Sequence, residues 1–287
     1  MPEKIALIFD FDDTLAPDST TGFLEYMGQD PHYFWTKTVD TLLDEGWDPA
    51  TAYLYRLIEF SKSLPRENKF TRNNLMEWGK KIKFYKGVPA LFRNLTEEAQ
   101  DISGRRNVHI ILEYYIISSG IGEILRAMSI SRYFRQIWSS DLIYDNGEEE
   151  IIFPKNVISF TDKTRYLFQI SKGIIGEEFK GRPFEVNKRI EPEDYYIPFN
   201  RMIFIGDGYT DIPCFSLVQR SGGTAIAVFD KNRRDKWERA WMFAEEKRVS
   251  QLASTDYRKT SDLYSLLVMA IEKIAGDIVK ENSGKIK

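Results

Sequence analysis

Cysteine and histidine are scarce in this sequence, and their scarcity excludes several kinds of chemistry. The 287 residues include one cysteine, Cys214, and two histidines, His32 and His109. A single cysteine cannot form an intrachain disulfide, which fits a reducing compartment. A histidine-based catalytic unit would need His32 or His109, and His109 lies in an apolar, β-branched run (Val108 to Ile117) that predicts a strand. The chemistry therefore has to be carried by carboxylates, lysines and hydroxyls.

The sequence also lacks an excess of positive charge and any long apolar run. Lysine and arginine total 40 against 43 aspartates and glutamates, so the net charge is −3 and does not favour nucleic acid as the main partner. No apolar run approaches the length of a membrane span, and the run after Pro2, Glu3 and Lys4 is too short for a secretion signal. We therefore expect a cytoplasmic protein, a monomer or a homodimer, without membrane or nucleic-acid partners.

What the sequence does contain is a buried strand that ends in acids. Ile5 to Phe9 are consecutive apolar residues, typical of a strand covered on both faces in a parallel sheet. Asp10, Asp12, Asp13 and Thr14 come directly after this strand. Carboxylates at positions i and i+2 would emerge at the edge where open α/β sheets bind ligands. The same run could also be an acidic turn that only solvates the end of the strand.

Residues 16–86 have a different character from the strand before them. Their helical patterns are broken at Asp30-Pro31, between Gly46 and Pro49, and at Leu64-Pro65, and no part of the segment alternates as a strand would. The segment is unusually rich in aromatic residues. We predict a helical insertion that forms a lid and ends at the turn Gly87-Val88-Pro89, with most of its aromatic side chains in its own core.

A second strand end after the insertion carries hydroxyls and a glycine. Val108 to Ile117 predicts a buried strand, followed by Ser118, Ser119 and Gly120 and then by a helix from about Ile121. Hydroxyl and backbone amide groups at a helix start can bind an anion. The two serines could equally serve only as a strand end and a helix cap.

The next segment predicts a strand, a flap and a helix that begins with a lysine. Phe134 to Ser140 predicts a strand, and Leu142 to Ile152 predicts a small flap because Asp145-Asn146-Gly147 has hairpin-turn chemistry. The acids Glu148–Glu150 are expected to form a solvated tip. Lys163 opens the following helix, where its charge works against the helix macrodipole. Such a local inconsistency is typical of a functional residue, although an ordinary surface lysine would read the same way.

A fourth buried strand, Arg201 to Ile205, is followed by Gly206-Asp207-Gly208 and, one helical turn onward, by Asp211. Glycines on both sides of an acid allow a tight turn and a close approach of the backbone to a ligand. Gly223 to Phe229 predicts a fifth strand. The chain after it reads as charged and helical, with an amphipathic closing helix over Asp262 to Ile278, and residues 172–200 receive no predicted function.

These elements together resemble the haloacid dehalogenase-like (HAD) hydrolase superfamily. Its four motifs match, in chain order, Asp10-x-Asp12-x-Thr14, Ser118, Lys163 and Gly206-Asp207-Gly208-x-x-Asp211. The resemblance covers nearly the whole chain. It implies an α/β fold with a Rossmann-like, mostly parallel sheet and helices on both faces. It also implies a catalytic core formed by residues 1–15 and 87–287, and a small helical cap for substrate specificity over residues 16–86.

The resemblance also implies roles for individual residues. Asp10 would be the nucleophile that forms an aspartyl-phosphate, and Asp12 would be the general acid and base. Lys163 would offset the negative charge that Asp10 shares with the phosphate. The residues expected to bind or support the substrate phosphate are Thr14, Ser118, Ser119, Gly120 and Lys163.

A magnesium ion is implied as the cofactor, because carboxylates crowded around a phosphate dianion need a cation. Its expected ligands are the Asp10 carboxylate, the Asp12 backbone carbonyl and Asp207. Asp211 would act through a water or hold Lys163. Asp13 is expected to be a loop residue without a role.

Asp12 favours a phosphatase or phosphotransferase, because dehalogenase-type members need no leaving-group acid there and ATPase-type members carry threonine. The layout is similar to the phosphoserine phosphatase branch, with two departures. The acid that holds the substrate ammonium in that branch would fall at Ser19, beside Asp18, and its Ser-Gly-Gly is Ser118-Ser119-Gly120 here. We therefore expect a hydrolase for a small phosphomonoester. Phosphotransfer by the same residues, or a non-catalytic phosphate-binding protein, are the alternatives.

Overall fold

The computed structural model describes residues 2–145, 147 and 149–284. Within them, one sheet is formed by β1 (Glu3–Phe9), β2 (Ile110–Ile121), β3 (Phe134–Tyr144), β4 (Ile151–Asn156), β5 (Met202–Gly206), β6 (Thr224–Phe229) and β7 (Gln251–Ser254). The strand order is β4-β3-β2-β1-β5-β6-β7, and only the β3–β4 pair is antiparallel. The predicted Rossmann-like fold class is confirmed.

The helices of the described residues cover both faces of this sheet and fill the segment after β1. They are α1 (Ser19–Tyr26), α2 (Pro31–Tyr33), α3 (Asp40–Asp44), α4 (Pro49–Ser63), α5 (Arg72–Gly79), α6 (Val88–Arg106), α7 (Gly122–Ala127), α8 (Asp162–Lys172), α9 (Ile212–Arg220), α10 (Arg234–Glu245) and α11 (Asp262–Gly284). A π-helical segment, Phe34–Val39, joins α2 to α3. No helix among the described residues is both long and apolar enough to cross a membrane.

The central strand β1 is buried on both sides because its side chains alternate between two apolar layers. Ile5, Leu7 and Phe9 belong to the core on one face, while Ala6 and Ile8 belong to the core on the other. All of these side chains are fully buried. The continuous apolar run that predicted this strand is therefore explained by its central place in the sheet.

The register of the strands brings the ends of β1 and β5 level with Ile116 of β2, just before the serines of that strand. Phe9 is paired with Ile116 of β2 on one side and with Ile205 of β5 on the other. Because these strands are parallel, the residues that follow these pairs emerge at the same edge of the sheet. This edge is where the predicted site residues meet.

The segment over residues 16–86 contains helices but no strand in the part described, as predicted. Helix starts follow local capping rules: Asp18 accepts a hydrogen bond from the Thr21 backbone amide at 2.6 Å, and Asp48 caps α4, whose first residue is Pro49. The buried side chains Phe23 and Phe34 belong to the same apolar cluster as Phe9. The insertion therefore packs onto the sheet through one continuous core.

Three sequence predictions were wrong in detail. β7 lies in the segment predicted to be only charged and helical, and it extends the parallel sheet beyond β6. Val108 and His109 precede β2, where the His109 carbonyl accepts a hydrogen bond from Glu3 at 2.8 Å. The strand β2 also continues through Ser118, Ser119 and Gly120 instead of ending before them.

The predicted flap is the antiparallel pair of β3 and β4, and it touches the insertion. Glu150 forms an ion pair of 2.8 Å with Lys69 and pairs as an isolated bridge with Thr71. Glu150 is therefore a contact to the insertion and not part of a solvated tip. Asn146 and Glu148, which the turn prediction also used, lie outside the described residues.

Candidate active site

The site is built around Asp10, the residue that follows β1. Its backbone amide donates to the Ile205 carbonyl at 2.9 Å, and its Oδ1 accepts a hydrogen bond from the Phe11 amide at 2.8 Å. The residue is 5% exposed, and burial raises the pKa of its carboxyl to about 6, with Asp211 adding to the rise and Lys163 opposing it. Asp10 is thus a buried, oriented carboxylate at the end of the central strand.

Lys163 lies at the beginning of α8 and reaches across the end of the sheet to two acids. Its Nζ lies 3.0 Å from Asp10 Oδ2 and 2.8 Å from Asp211 Oδ1, and it donates to Thr210 Oγ1 at 3.3 Å. Burial lowers the pKa of Lys163, but the two carboxylates raise it more, so the net direction is upward. The unfavourable position of this lysine at a helix start is therefore offset by ion pairs to both acids.

Asp207 and Asp211 come from the turn between β5 and α9. The Asp211 carboxylate is fully buried and accepts a hydrogen bond from the Gly208 amide at 3.1 Å. Gly206 has to be glycine, because a Cβ there would lie 2.4 Å from Asp211 Oδ2. Burial raises the pKa of Asp207 to about 7. The charge of Lys236 opposes this rise, and the neighbouring acids add to it.

These side chains form a cluster that could hold a divalent cation. One carboxylate oxygen each from Asp10, Asp207 and Asp211 lies within 4.8 Å of the others, and all three residues are buried. Carboxylate oxygens are the donors that Mg²⁺ prefers in proteins. The donor set thus fits the implied ion.

Asp12 lies beside this cluster, held by the start of α1. Its Oδ1 accepts a hydrogen bond from the Ser19 amide at 2.7 Å. Its pKa is raised well above its ordinary value, first by burial and then by the nearby Asp18 carboxylate. A Cβ at Gly120 would lie 2.8 Å from Asp12 Oδ2, so β2 approaches this acid closely only because Gly120 has no side chain.

The predicted phosphate-binding residues are distributed over different environments. Ser118 is 1% exposed, and its Oγ accepts a hydrogen bond from the Gly120 amide at 3.0 Å. Ser119 Oγ donates instead to the Ile158 carbonyl at 2.7 Å. Thr14 is fully buried, its carbonyl accepts from Tyr257, and its Oγ1 has no hydrogen-bond partner among the described residues.

A cavity of about 340 Å³ joins these groups to the helical insertion. Thr14 is not part of its wall, whereas most of the other predicted site residues are. The lining residues from the strand ends are Asp10, Asp12, Ser118, Ser119, Gly120, Lys163 and Asp207. We call Asp10, Asp12, Asp207 and Asp211 the strand-end acid cluster.

Solved structures with a similar fold include a probable phosphoserine phosphatase and a HAD family hydrolase. A probable phosphoserine phosphatase from Vibrio cholerae matches 96% of this chain and 68% of its own with a TM-score of 0.55 and 11% identity. A HAD family hydrolase from Salmonella enterica serovar Typhi matches with a TM-score of 0.52 and 14% identity, and the match spans 82% of this chain and 66% of that one. The fold is that of the HAD hydrolases.

Sequence comparison adds one relative without a described activity. An uncharacterized protein of Borreliella burgdorferi is 27% identical over 294 residues, which span 93% of this chain and 96% of that protein. No protein-family model matches the chain. At these identities the comparisons establish the HAD fold, and the activity has to be argued from the site itself.

Two basic residues of α10, Lys236 and Arg239, also line the cavity. Arg239 Nη2 lies 2.7 Å from Asp207 Oδ2, and Lys236 Nζ lies 3.3 Å from the same oxygen. Lys236 also forms an ion pair with Asp13, whose backbone has a left-handed φ of 56°. Asp13 is thus more than the loop residue that was predicted, and sequence reasoning missed Lys236 and Arg239 because they lie in an ordinary charged helical pattern.

The insertion supplies the opposite part of the cavity wall. Trp35, in the π-helical segment, donates its indole N–H to Thr21 Oγ1 at 2.8 Å, and its ring lies 6.0 Å from that of Tyr53. Asp18 lines the cavity, whereas Ser19 uses its amide to hold Asp12. We call Asp18, Trp35, Tyr53, Lys236 and Arg239 the outer wall.

Proposed function

We propose that this protein is a Mg²⁺-dependent phosphomonoester hydrolase that acts on a small phosphorylated metabolite through an aspartyl-phosphate intermediate. One observation carries the proposal: Lys163 bridges Asp10 and Asp211 at the edge of the sheet, while Asp12 and Asp207 line the same cavity. The HAD fold, shared with phosphoserine phosphatases of known structure, supports the same reaction class.

Asp10 is the group in this site best placed to attack phosphorus. The Phe11 amide and Lys163 each hold one of its carboxylate oxygens, so the carboxylate is fixed in orientation. Attack forms an acyl phosphate and expels the alkoxide, and water then cleaves the acyl phosphate in a second displacement. Two displacements replace one difficult hydrolysis, for which an enzyme must supply more than ~20 kcal/mol of barrier reduction.

Asp12 is suited to proton transfer in both steps. Its raised pKa keeps a proton available for the leaving alkoxide, and the resulting carboxylate can then accept a proton from the attacking water. The Ser19 amide fixes its Oδ1 at 2.7 Å, so the insertion itself orients this acid. Ser118, which lines the cavity, is the proposed hydrogen-bond partner of a phosphoryl oxygen.

The proposed magnesium ligands are the carboxylates of Asp10 and Asp207 and the backbone carbonyl of Asp12, with Asp211 acting through a water or through Lys163. The ion would supply positive charge that stabilises the negative charge spread over the phosphoryl oxygens during transfer. Residues 16–86 are proposed to act as the cap, because Asp18, Trp35 and Tyr53 close the cavity on that side. A cavity of about 340 Å³ suits a small metabolite.

The test is phosphate release from sugar, amino-acid, nucleotide and aryl phosphates, with Mg²⁺ or with chelator. We expect metal-dependent release by the wild type and none by Asp10→Asn. The matched control is Asp162→Asn, since Asp162 is next to Lys163 in sequence but pairs with Arg165. It should keep full activity.

Other outcomes separate the alternatives. Consumption of the ester with transfer to an added alcohol, and little free phosphate, would identify a phosphotransferase. A folded protein that binds phosphate and Mg²⁺ but turns over no ester would contradict the proposal and favour a non-catalytic phosphate-binding protein. Turnover of full-length phosphoproteins with ordinary kinetics would contradict the small-metabolite part.

A further inference from the structure

Two cations of α10, Lys236 and Arg239, line the active-site cavity without a role in the proposed reaction. Three residues apart, they lie on one face of the helix, and both contact the same oxygen of Asp207. The helix is anchored by Phe243, which is fully buried and packs edge-on against the Tyr209 ring at 5.6 Å. The two cations are therefore held in place by a rigid element.

Both side chains retain unused hydrogen-bond donors. Of the five N–H groups of Arg239, one is used among the described residues, by Asp207, and its buried Nε has no partner there. The ammonium of Lys236 has three donors and contacts two acceptors, Asp13 and Asp207. A guanidinium with free N–H groups at a cavity wall is suited to planar oxyanions.

The positive charges of the cavity wall are unevenly distributed. No lysine or arginine from residues 16–86 lines the cavity, and the lining side chain from that segment that can be charged is Asp18. An anionic part of a substrate would therefore find its cationic partners on α10 and not on the insertion. Lys163, the remaining cation of the wall, is already held between Asp10 and Asp211.

The distances fit one small molecule that touches both places. A carboxylate oxygen of Asp10 lies within 4.8 Å of a carboxylate oxygen of Asp207. Arg239 Nη2 lies 2.7 Å from Asp207 Oδ2. A group a few bonds away from a phosphorus at Asp10 would thus reach the guanidinium. A divalent cation bound by Asp207 would compete with α10 for that carboxylate and leave Arg239 and Lys236 with unsatisfied positive charge.

We propose that Arg239 and Lys236 determine specificity by binding a second anionic oxygen group of the substrate, beyond the phosphoryl group that is transferred. The substrate class is a small phosphomonoester that carries a carboxylate or a second phosphate three to five bonds from the ester oxygen. This inference rests on the proposed function and deepens it.

The experiment compares esters that differ only at the far end. The probes are propyl phosphate, the phosphate ester of 3-hydroxypropionate, and propane-1,3-diyl bisphosphate. The wild type should prefer one or both of the esters with a second anionic group to propyl phosphate by ten-fold or more in kcat/KM, and the better of the two identifies the second group. In Arg239→Gln the preference should fall at least ten-fold, mainly through KM, because a charge-assisted pair is lost. Arg239→Lys should recover part of the preference.

Arg234→Gln is the matched control, because Arg234 lies on the same helix but is 87% exposed and paired with Glu238. It removes the same charge and should keep the wild-type preference. Equal losses for all three esters in Arg239→Gln would place this residue on the transferred phosphoryl group or on the metal site and overturn the inference. A wild type that hydrolyses propyl phosphate without preferring the other esters would also overturn it, while leaving the proposed function intact. Hydrolysis of none of the tested esters would count against the proposed function itself.

Discussion

The strand-end acid cluster, three of whose four members line the cavity, and the outer wall of the same cavity are built in different ways. Each member of the acid cluster follows a strand of the parallel sheet closely in sequence, so its position is set by the register of β1 and β5. The outer wall comes from a π-helical segment, two helices of the insertion and the distant helix α10, which meet only through tertiary packing. The comparison teaches that the proposed reaction depends on the sheet, whereas the proposed selectivity depends on how the surrounding helices pack.

Replacement of Lys163 should have the largest effect, because this lysine balances the negative charge of two acids of the cluster, Asp10 and Asp211. Lys163→Met leaves two buried carboxylates without their cation, which typically costs about 3–5 kcal/mol of unfolding free energy. Activity should be lost as well. Thermal unfolding and phosphate release would measure the two effects separately.

The second variant, Lys163→Met with Asp211→Asn, should recover part of the stability but none of the activity, since one unpaired charge is removed. Lys155→Met, at an exposed lysine, is the control and should behave as the wild type. A Lys163→Met protein as stable as the wild type would show that the ion pairs are not the main support of the cluster.

Gly120→Ala should disturb the boundary between the two regions. The added Cβ would lie 2.8 Å from Asp12 Oδ2 and 3.2 Å from Ser118 Oγ, so one of these groups has to move. A misplacement of about 1 Å at a catalytic group can cost about 100-fold in rate, so a smaller shift should cost less. We expect a fall of roughly 10–100-fold in kcat, with a small change in melting temperature. Gly104→Ala, with open space around its Cβ position, should leave kcat unchanged. Unchanged kcat in Gly120→Ala would mean that Asp12 need not stay where the structure has it.

The fold and the acid cluster could be predicted from sequence because their signals are local. Ile5 to Phe9 and the run into Gly206 are continuous apolar segments, and the acids stand directly after them. The strand β7 was missed because it has only four residues, of which Ala253 alone is buried. The residues around it in sequence are mostly charged, so no apolar pattern marks a strand there. Lys236 and Arg239 were missed for a different reason: their contact with Asp207 depends on how α10 packs on the sheet, which no local pattern encodes.

The pH dependence of stability should be a property of the acid cluster. Burial raises the pKa of Asp10 from 3.8 to about 6 and that of Asp207 from 3.8 to about 7. Between pH 3.8 and about 7 the folded protein then binds more protons than the unfolded chain. The free energy of unfolding is therefore greatest at the acid end of this pH range and falls as the pH rises towards 7. In chelator, the melting temperature should drop on the order of 5 °C between pH 5 and pH 7.5. Asp207→Asn should flatten this dependence, and a melting temperature that rises with pH would contradict the assignment.

The smallest effect is expected at the outer wall, where Tyr53 ties the insertion to the sheet. Its hydroxyl donates to the Ser119 carbonyl at 2.6 Å, so Tyr53→Phe removes one hydrogen bond between α4 and β2 while leaving the ring against Trp35. Such a bond contributes about 1 kcal/mol, and KM should rise about five-fold with little change in kcat. Tyr55→Phe on the same helix, with a more exposed ring and no side-chain hydrogen bond among the described residues, is the control. If Tyr53→Phe instead lowered kcat as much as Gly120→Ala, the outer wall would be part of the catalytic machinery, and the separation between the two regions would fail.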